Sequence, residues 1–220
     1  MSTVLVVAPH PDDETLGCGG TILRHRAEGD AVHWMIVTDM TEDYSAERRA
    51  ARENEIAAVS ELYGFAGVHR LGLPTARLDT VALADIIAKM APVFEAVAPE
   101  VVHLPFRDDA HSDHRVTFEA AAACCKAFRN PGIKHMSCYE VPSETGINPA
   151  PGAATFRATS YVGIADHLDA KVRAMTCYAG ESAAFPFPRS ETAIRALAAV
   201  RGSECGCEAA EAFHVVRLVR

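Results

Sequence analysis

Val4-Leu5-Val6-Val7-Ala8, followed at once by Pro9-His10-Pro11-Asp12-Asp13-Glu14, is the stretch that decides the fold. A short apolar run with no polar alternation suits a strand buried on both faces, the pattern of a parallel sheet. Open α/β sheets bind ligands just past the carboxyl ends of such strands. At that place the chain packs one histidine and three carboxylates into the five residues from His10 to Glu14. Like charges so close repel, and a cation among them relieves the repulsion. A metal site is the first expectation.

Strand and helix signals alternate through the rest of the chain. Gly17-Cys18-Gly19-Gly20 reads as a turn, followed by a helix over Thr21–Glu28 and a β-branched strand over Ala31–Thr38. Helical spacing of Ile56, Val59, Leu62 and Tyr63 marks 46–63, with Gly64 as a stop. A short strand over 68–71 precedes a helix over 81–98, in which Pro92 calls for a kink or break. Further strands are expected at 100–105, 136–140 and 161–164, and further helices at 116–128, 166–178 and 191–200. The Gly- and Pro-containing stretch 142–155 reads as a long loop beside the site entrance. This βαβα rhythm predicts an α/β fold: a single Rossmann-like domain over 1–220, its sheet mainly parallel with helices on both faces.

Composition narrows the class. The 220 residues suffice for one substantial core, and 49% hydrophobic with 23% charged residues is ordinary for a soluble globular protein. A net charge of -8 argues against nucleic acid or an anionic membrane as the main partner. No basic-then-apolar segment leads the first strand and no apolar run approaches a membrane span, so a cytoplasmic setting is expected. Seven cysteines, including adjacent Cys124-Cys125 and the close pair Cys205 and Cys207, do not resemble a disulfide framework. The first two read as small apolar core residues, and the second two are weak evidence for a soft-metal site. Ala-rich helices offer a face on which two copies could pair.

A second polar cluster, Arg107-Asp108-Asp109-Ala110-His111-Ser112-Asp113-His114-Arg115, also follows an apolar strand and so opens on the same sheet edge. His111 and His114 are spaced to face one small cavity. As a ligand His114 must be a neutral imidazole whose other nitrogen is oriented by an acceptor, for which the adjacent Asp113 is a candidate.

With both clusters in view, the chain resembles the PIG-L/LmbE-like family of zinc-dependent de-N-acetylases. Their signatures are Pro/Ala-His-Pro-Asp-Asp-Glu and, after a mid-chain strand, His-x-Asp-His, here His111-Ser112-Asp113-His114. The likeness extends to an Arg-x-x-Glu at Arg52 and Glu55, a late-helix Lys171, and the closing Ala210-Glu211-Ala212-Phe213. It implies that His10, Asp13 and His114 ligate zinc, with iron or cobalt as substitutes, that Asp12 is the general base, and that His111 faces the reacting carbonyl. Three protein ligands leave a position open for water, the condition for catalytic zinc. Arg49 and Arg52, both on the first long helix, are candidate substrate contacts. Relatives often carry an aspartate after Leu-Gly-x-Pro; here Leu71-Gly72-Leu73-Pro74 is followed by Thr75, with Arg77 and Asp79 nearby, a departure at the position of the usual sugar contact but not in the metal signatures.

The leading expectation is removal of an N-acetyl or other short N-acyl group from a small molecule containing an amino sugar. A zinc amidase acting on a thiol or other conjugate is an alternative, as is a metal-dependent sugar-binding domain without turnover. A dinucleotide fold is rejected, because the glycines follow the His/Asp cluster rather than the strand. No Gly-x-Ser-x-Gly elbow supports serine hydrolysis.

Overall fold

The computed structural model describes residues 1–220. Five strands run parallel: β1 (Thr3–Ala8), β2 (Ala31–Asp39), β3 (Gly67–Pro74), β4 (Val101–Pro105) and β5 (His135–Tyr139). Helices α1 (Asp13–Ala27), α2 (Ala46–Tyr63), α3 (Leu83–Val97) and α4 (Ser112–Cys124) follow the first four of them. The sheet is completed by β6 (Ser160–Gly163) and β7 (Ala210–Leu218), with α5 (Leu168–Thr176) and α6 (Glu191–Cys205) between them. Strand order is β3-β2-β1-β4-β5-β7-β6, so the order reverses between β1 and β4. That reversal opens the crevice in which doubly wound sheets place ligands. The loops carrying both His/Asp clusters leave β1 and β4 there.

β1 is buried on both faces, as its uninterrupted apolar run requires. Leu5 and Val7 join a core beneath α3 and α4; Val4, Val6 and Ala8 join a second core beneath α1, α2 and α5. Helices therefore cover both faces, and the α/β expectation holds. Ser45 caps α2 by accepting from Arg48 N, and Gly64 closes it in the left-handed conformation, φ 61. Pro92 lies inside α3 without ending it. None of the helices is long and apolar enough to cross a membrane.

Two expectations are corrected. Gly17, Gly19 and Gly20 do not form a turn: they lie within α1, which starts directly at Asp13. The glycines serve close packing. A Cβ on Gly17 would overlap the ring of fully buried Tyr139, and one on Gly20 would lie 2.6 Å from Ile164. Helix propensity is overridden because only a bare backbone admits those neighbours. The second correction is β7, which was not expected as a strand. It inserts antiparallel between β5 and β6, pairing with both. Its Glu211 holds α1 in place: the buried carboxylate accepts from Gly20 N at 2.9 Å and Thr21 N at 2.7 Å, and pairs with Lys171 Nζ at 2.6 Å. The lysine also donates to Leu16 O. Late residues of the resemblance thus clamp the helix that follows the first cluster.

Candidate metal centre

The loop after β1 is short and tense. Asp12 carries φ 139, a conformation that side chains other than glycine rarely adopt, and such strain persists where the surroundings over-determine it. Here they do. Asp12 N–H donates to Glu14 Oε2 at 3.0 Å, and Glu14 is fully buried, accepting from Thr15 Oγ1 and from Tyr178 OH at 2.5 Å. Asp13 Oδ2 accepts from His10 N–H at 2.9 Å. Glu14 thereby supports the loop rather than facing the cavity.

Asp13 is where the two clusters meet. Its Oδ2 lies 3.2 Å from His10 Nδ1 and 3.3 Å from His114 Nε2, and the donor atoms of His10, Asp13 and His114 all fall within 4.8 Å of one another. The remaining nitrogen of each imidazole is also held. His10 Nε2 is 3.0 Å from Asp113 Oδ2, and His114 Nδ1 is 2.8 Å from Asp109 Oδ2. Carboxylate-braced imidazoles pointing at one spot are the arrangement by which proteins fix metal-binding histidines. A second trio, His10, His111 and Asp113, is also compact. There the Asp113 oxygens are taken by Ala76 N at 2.7 Å and Leu78 N at 3.0 Å, so the carboxylate is spent on backbone amides.

Asp113 was the expected partner of His114, and the structure corrects this to Asp109. Both Asp113 and His114 lie in the first turn of α4. Consecutive helical residues diverge by about a quarter turn, so Asp113 reaches His10 instead.

The charges fit a cation. Burial would keep His10 neutral, but hydrogen bonds to Asp113 and Asp13 and the Asp13 charge outweigh it and push it up to about 9. Burial opposes a charged His114 too, and Asp13 and Asp109 raise it nonetheless. Burial would raise Asp13, yet His114 and the hydrogen bonds from both imidazoles hold it well below the usual carboxylate range. The donor set of two imidazoles and a carboxylate therefore attracts positive charge and is able to hold a metal ion.

Around this point opens a cavity of about 370 Å³, lined by His10, Asp12, Asp13, His111 and His114 together with Arg48, Arg52, Thr75, Glu144, Glu181 and Arg189. Burial and the Asp13 charge push the Asp12 carboxyl well up, and Arg189, with Nη1 2.8 Å from Asp12 Oδ2, pulls the other way. His111 Nδ1 accepts from Asp113 N–H at 3.1 Å, while burial and the His10 charge lower its basicity. A neutral His111 with Nδ1 so engaged carries its proton on Nε2.

Of the two candidate arginines, Arg52 lines the cavity and Arg49 does not. Arg52 is 5% exposed and both terminal nitrogens are engaged, Nη1 with Pro11 O at 2.8 Å and Nη2 with Glu181 Oε1 at 2.5 Å, while Nε lies 3.2 Å from Glu55 without a hydrogen bond. It braces the His10–Asp13 loop. Thr75 hydrogen-bonds Thr38 at 2.7 Å on the cavity wall. Tyr139 and Phe106 are core, and Phe185 is exposed. Sequence reasoning missed Asp109, Glu144, Glu181 and Arg189. Asp109 lay inside the quoted cluster, whereas Arg189 stands 177 residues from Asp12 with no motif to mark it.

Comparison with known proteins follows the same line. The diacetylchitobiose deacetylase of Thermococcus kodakarensis is 24% identical over 97% of this chain and 82% of its own length. The conserved protein TT1542 from Thermus thermophilus superposes with a TM-score of 0.80 at 28% identity, over 100% of this chain and 97% of that one. GalB, the 4-carboxy-2-hydroxymuconate hydratase of Pseudomonas putida, shares the fold with a TM-score of 0.76 at 21% identity, over 100% and 99%. A fold that also serves a hydratase does not by itself fix the reaction. The PIG-L model, GlcNAc-PI de-N-acetylase, matches residues 5–125, more than half of the chain and the part that holds both His/Asp clusters. The chain belongs to the PIG-L family of de-N-acetylases.

Proposed function

We propose that the chain, acting as one domain over 1–220, is a zinc-dependent hydrolase that removes an N-acetyl or short N-acyl group from a small molecule containing an amino sugar. The observation that carries this reading is the convergence of His10, Asp13 and His114 on one spot, each imidazole braced by its own carboxylate, at the wall of a cavity that also holds Asp12 and His111. The N-acetyl sugar class is taken from the Thermococcus kodakarensis relative, named for its action on diacetylchitobiose.

His10, Asp13 and His114 would hold zinc, with iron or cobalt as substitutes, since two nitrogens and an oxygen suit such ions. When bound, the metal supplies Lewis-acid polarisation and brings the pKa of a water from about 15.7 to about 7. Asp12 takes the proton of the attacking water; its raised basicity suits a base, because a carboxylate of ordinary acidity is a poor proton acceptor. His111 donates from Nε2 to the carbonyl oxygen as charge develops there. An oriented donor of this kind contributes roughly 3 to 4 kcal/mol, and none of it requires a charged imidazole. The protonated Asp12 then returns its proton to the departing amine. Arg189 and Glu181 also line the cavity, and Thr75 adds a hydroxyl.

The deciding experiment measures metal content together with amine release from N-acetylglucosamine and N,N'-diacetylchitobiose, before and after chelation. About one zinc per chain and release that chelation abolishes are expected. Release that survives complete metal removal, or a zinc-loaded protein that cleaves no N-acyl amino sugar, would overturn the reading.

A further inference from the structure

Cys18, Cys124, Cys125 and Cys138 are buried and Cys177 is half-buried, which leaves Cys205 and Cys207 as the exposed cysteines. They occupy the turn from α6 to β7 and take no part in the cavity lining. α6 ends at Cys205, and Gly206 adopts φ 78, ψ 25, the left-handed conformation that glycine tolerates without steric cost. That single residue folds the chain back on itself. Gly206 N–H and Cys207 N–H both donate to the Gly202 carbonyl, the latter at 2.9 Å, and Cys205 Sγ lies 3.5 Å from the same oxygen. Both cysteines are gathered round one acceptor.

The two sulfurs have different surroundings. A Cβ built on Gly163 of β6 would lie 3.3 Å from Cys207 Sγ and 3.9 Å from Arg24 Nη1, so sulfur and guanidinium share the space over that glycine. Arg24 is anchored there by donating to Gly163 O at 3.3 Å. Cys207 is exposed near that guanidinium, which also donates to Glu28 Oε1 at 2.9 Å, so its sulfur is accessible to a disulfide in solution. Cys205 is different: what burial it has and the neighbouring Cys207 thiol push it up.

We propose that Cys205-Gly206-Cys207 is a thiol–disulfide exchange site for small-molecule disulfides, with Cys207 as the attacking sulfur and Cys205 as the resolving one. The Cys207 thiolate attacks one sulfur of the incoming disulfide, whose S–S bond breaks and releases one thiolate. Cys205, giving up its proton to water, attacks the Cys207 sulfur of the mixed disulfide; the Cys205–Cys207 bond forms and the second thiolate leaves. Two cysteine thiols are oxidised by two electrons, and one small disulfide is reduced to two thiols. A ring closed across one intervening residue is small and exposed, and disulfides of that kind are the labile ones, not structural staples. Soft-metal binding is the poorer use of the pair, because two sulfurs supply half of a tetrahedral set.

The test incubates the full chain with mixtures of oxidised and reduced glutathione, blocks free thiols, and maps each cysteine by mass. Wild type is expected to lose the thiols of Cys205 and Cys207 as an internal disulfide retaining no glutathione, and to regain both on reduction. C205S is expected to accumulate one glutathione on Cys207, and C207S to lose the reaction at residue 205. Circular dichroism confirms that both variants are folded, and their amide hydrolysis is expected to match wild type. The proposal is overturned if wild type keeps glutathione on either cysteine at equilibrium. It is equally overturned if both thiols stay free in a large excess of oxidised glutathione.

Discussion

The loops that follow β1 and β4 leave adjacent parallel strands and meet at one point, yet they are held differently. The first combines contacts between neighbours with braces from other elements. His10 N–H donates to Asp13 and Asp12 N–H to Glu14, Arg52 of α2 donates to Pro11 O, and the strain sits at one residue, Asp12 at φ 139. The second is fixed from outside. Asp109 accepts from Thr145 Oγ1 at 2.6 Å, Asn148 donates to the carbonyls of 108 and 109, and Asp113 is held by the amides of Ala76 and Leu78. The first loop supplies the carboxylate at which the two clusters meet, and the second supplies aim.

This difference can be tested by breaking each loop in its own way. The largest effect is expected from Asp12→Asn, which keeps the shape of the first loop but removes the carboxylate proposed as the base. Turnover should fall by about 10² to 10⁴-fold while metal content stays at wild-type level; metal loss in this variant would mean that Asp12 supports the loop rather than the reaction. Next comes the anchor of the helix that the first loop enters. Lys171→Met strands the buried Glu211 carboxylate and should cost about 3 to 5 kcal/mol in denaturant unfolding. Adding Glu211→Leu should recover little of that loss, because Gly20 N–H, Thr21 N–H and the Leu16 carbonyl lose their partners as well; full recovery would show that the pair acts through buried charge alone.

Smaller effects are expected where aim alone is lost. Asp109→Asn and Asp113→Asn should each weaken metal retention by about 10 to 100-fold in competition with a chelator, with unfolding midpoints little changed. Wild-type retention in both would contradict the role of the second loop. Thr145→Val removes one hydrogen bond to Asp109, worth about 1 kcal/mol, so retention should drop roughly fivefold. A drop as large as that of Asp109→Asn would place most of the aiming in Thr145.

Much of this was legible beforehand. β1, β2 and β4 follow their apolar runs, α2 ends at Gly64 as its pattern demands, and both His/Asp clusters lie where a parallel sheet puts its ligands. Other features were hidden for identifiable reasons. The glycines of α1 look like a turn until Tyr139 and Ile164 are packed against them. The strand β7 lacks a strong local pattern and is defined by its partners β5 and β6. The choice between Asp109 and Asp113 for His114 depends on where α4 begins, which a spacing rule locates only within a few residues.

By itself, then, the sequence determined the layer architecture, the sheet edge on which both His/Asp clusters open, and the identity of the clustered donors. These follow from hydrophobic periodicity and local charge density, both properties of neighbouring residues. Only the tertiary structure decided which carboxylate braces which imidazole, that Arg52 is bound to Pro11 and Glu181, and that Arg189 sits against Asp12. Those pairings join residues up to 177 positions apart. Buried charges take whichever partner the packed elements bring within a few ångströms, and chain spacing carries no record of that choice.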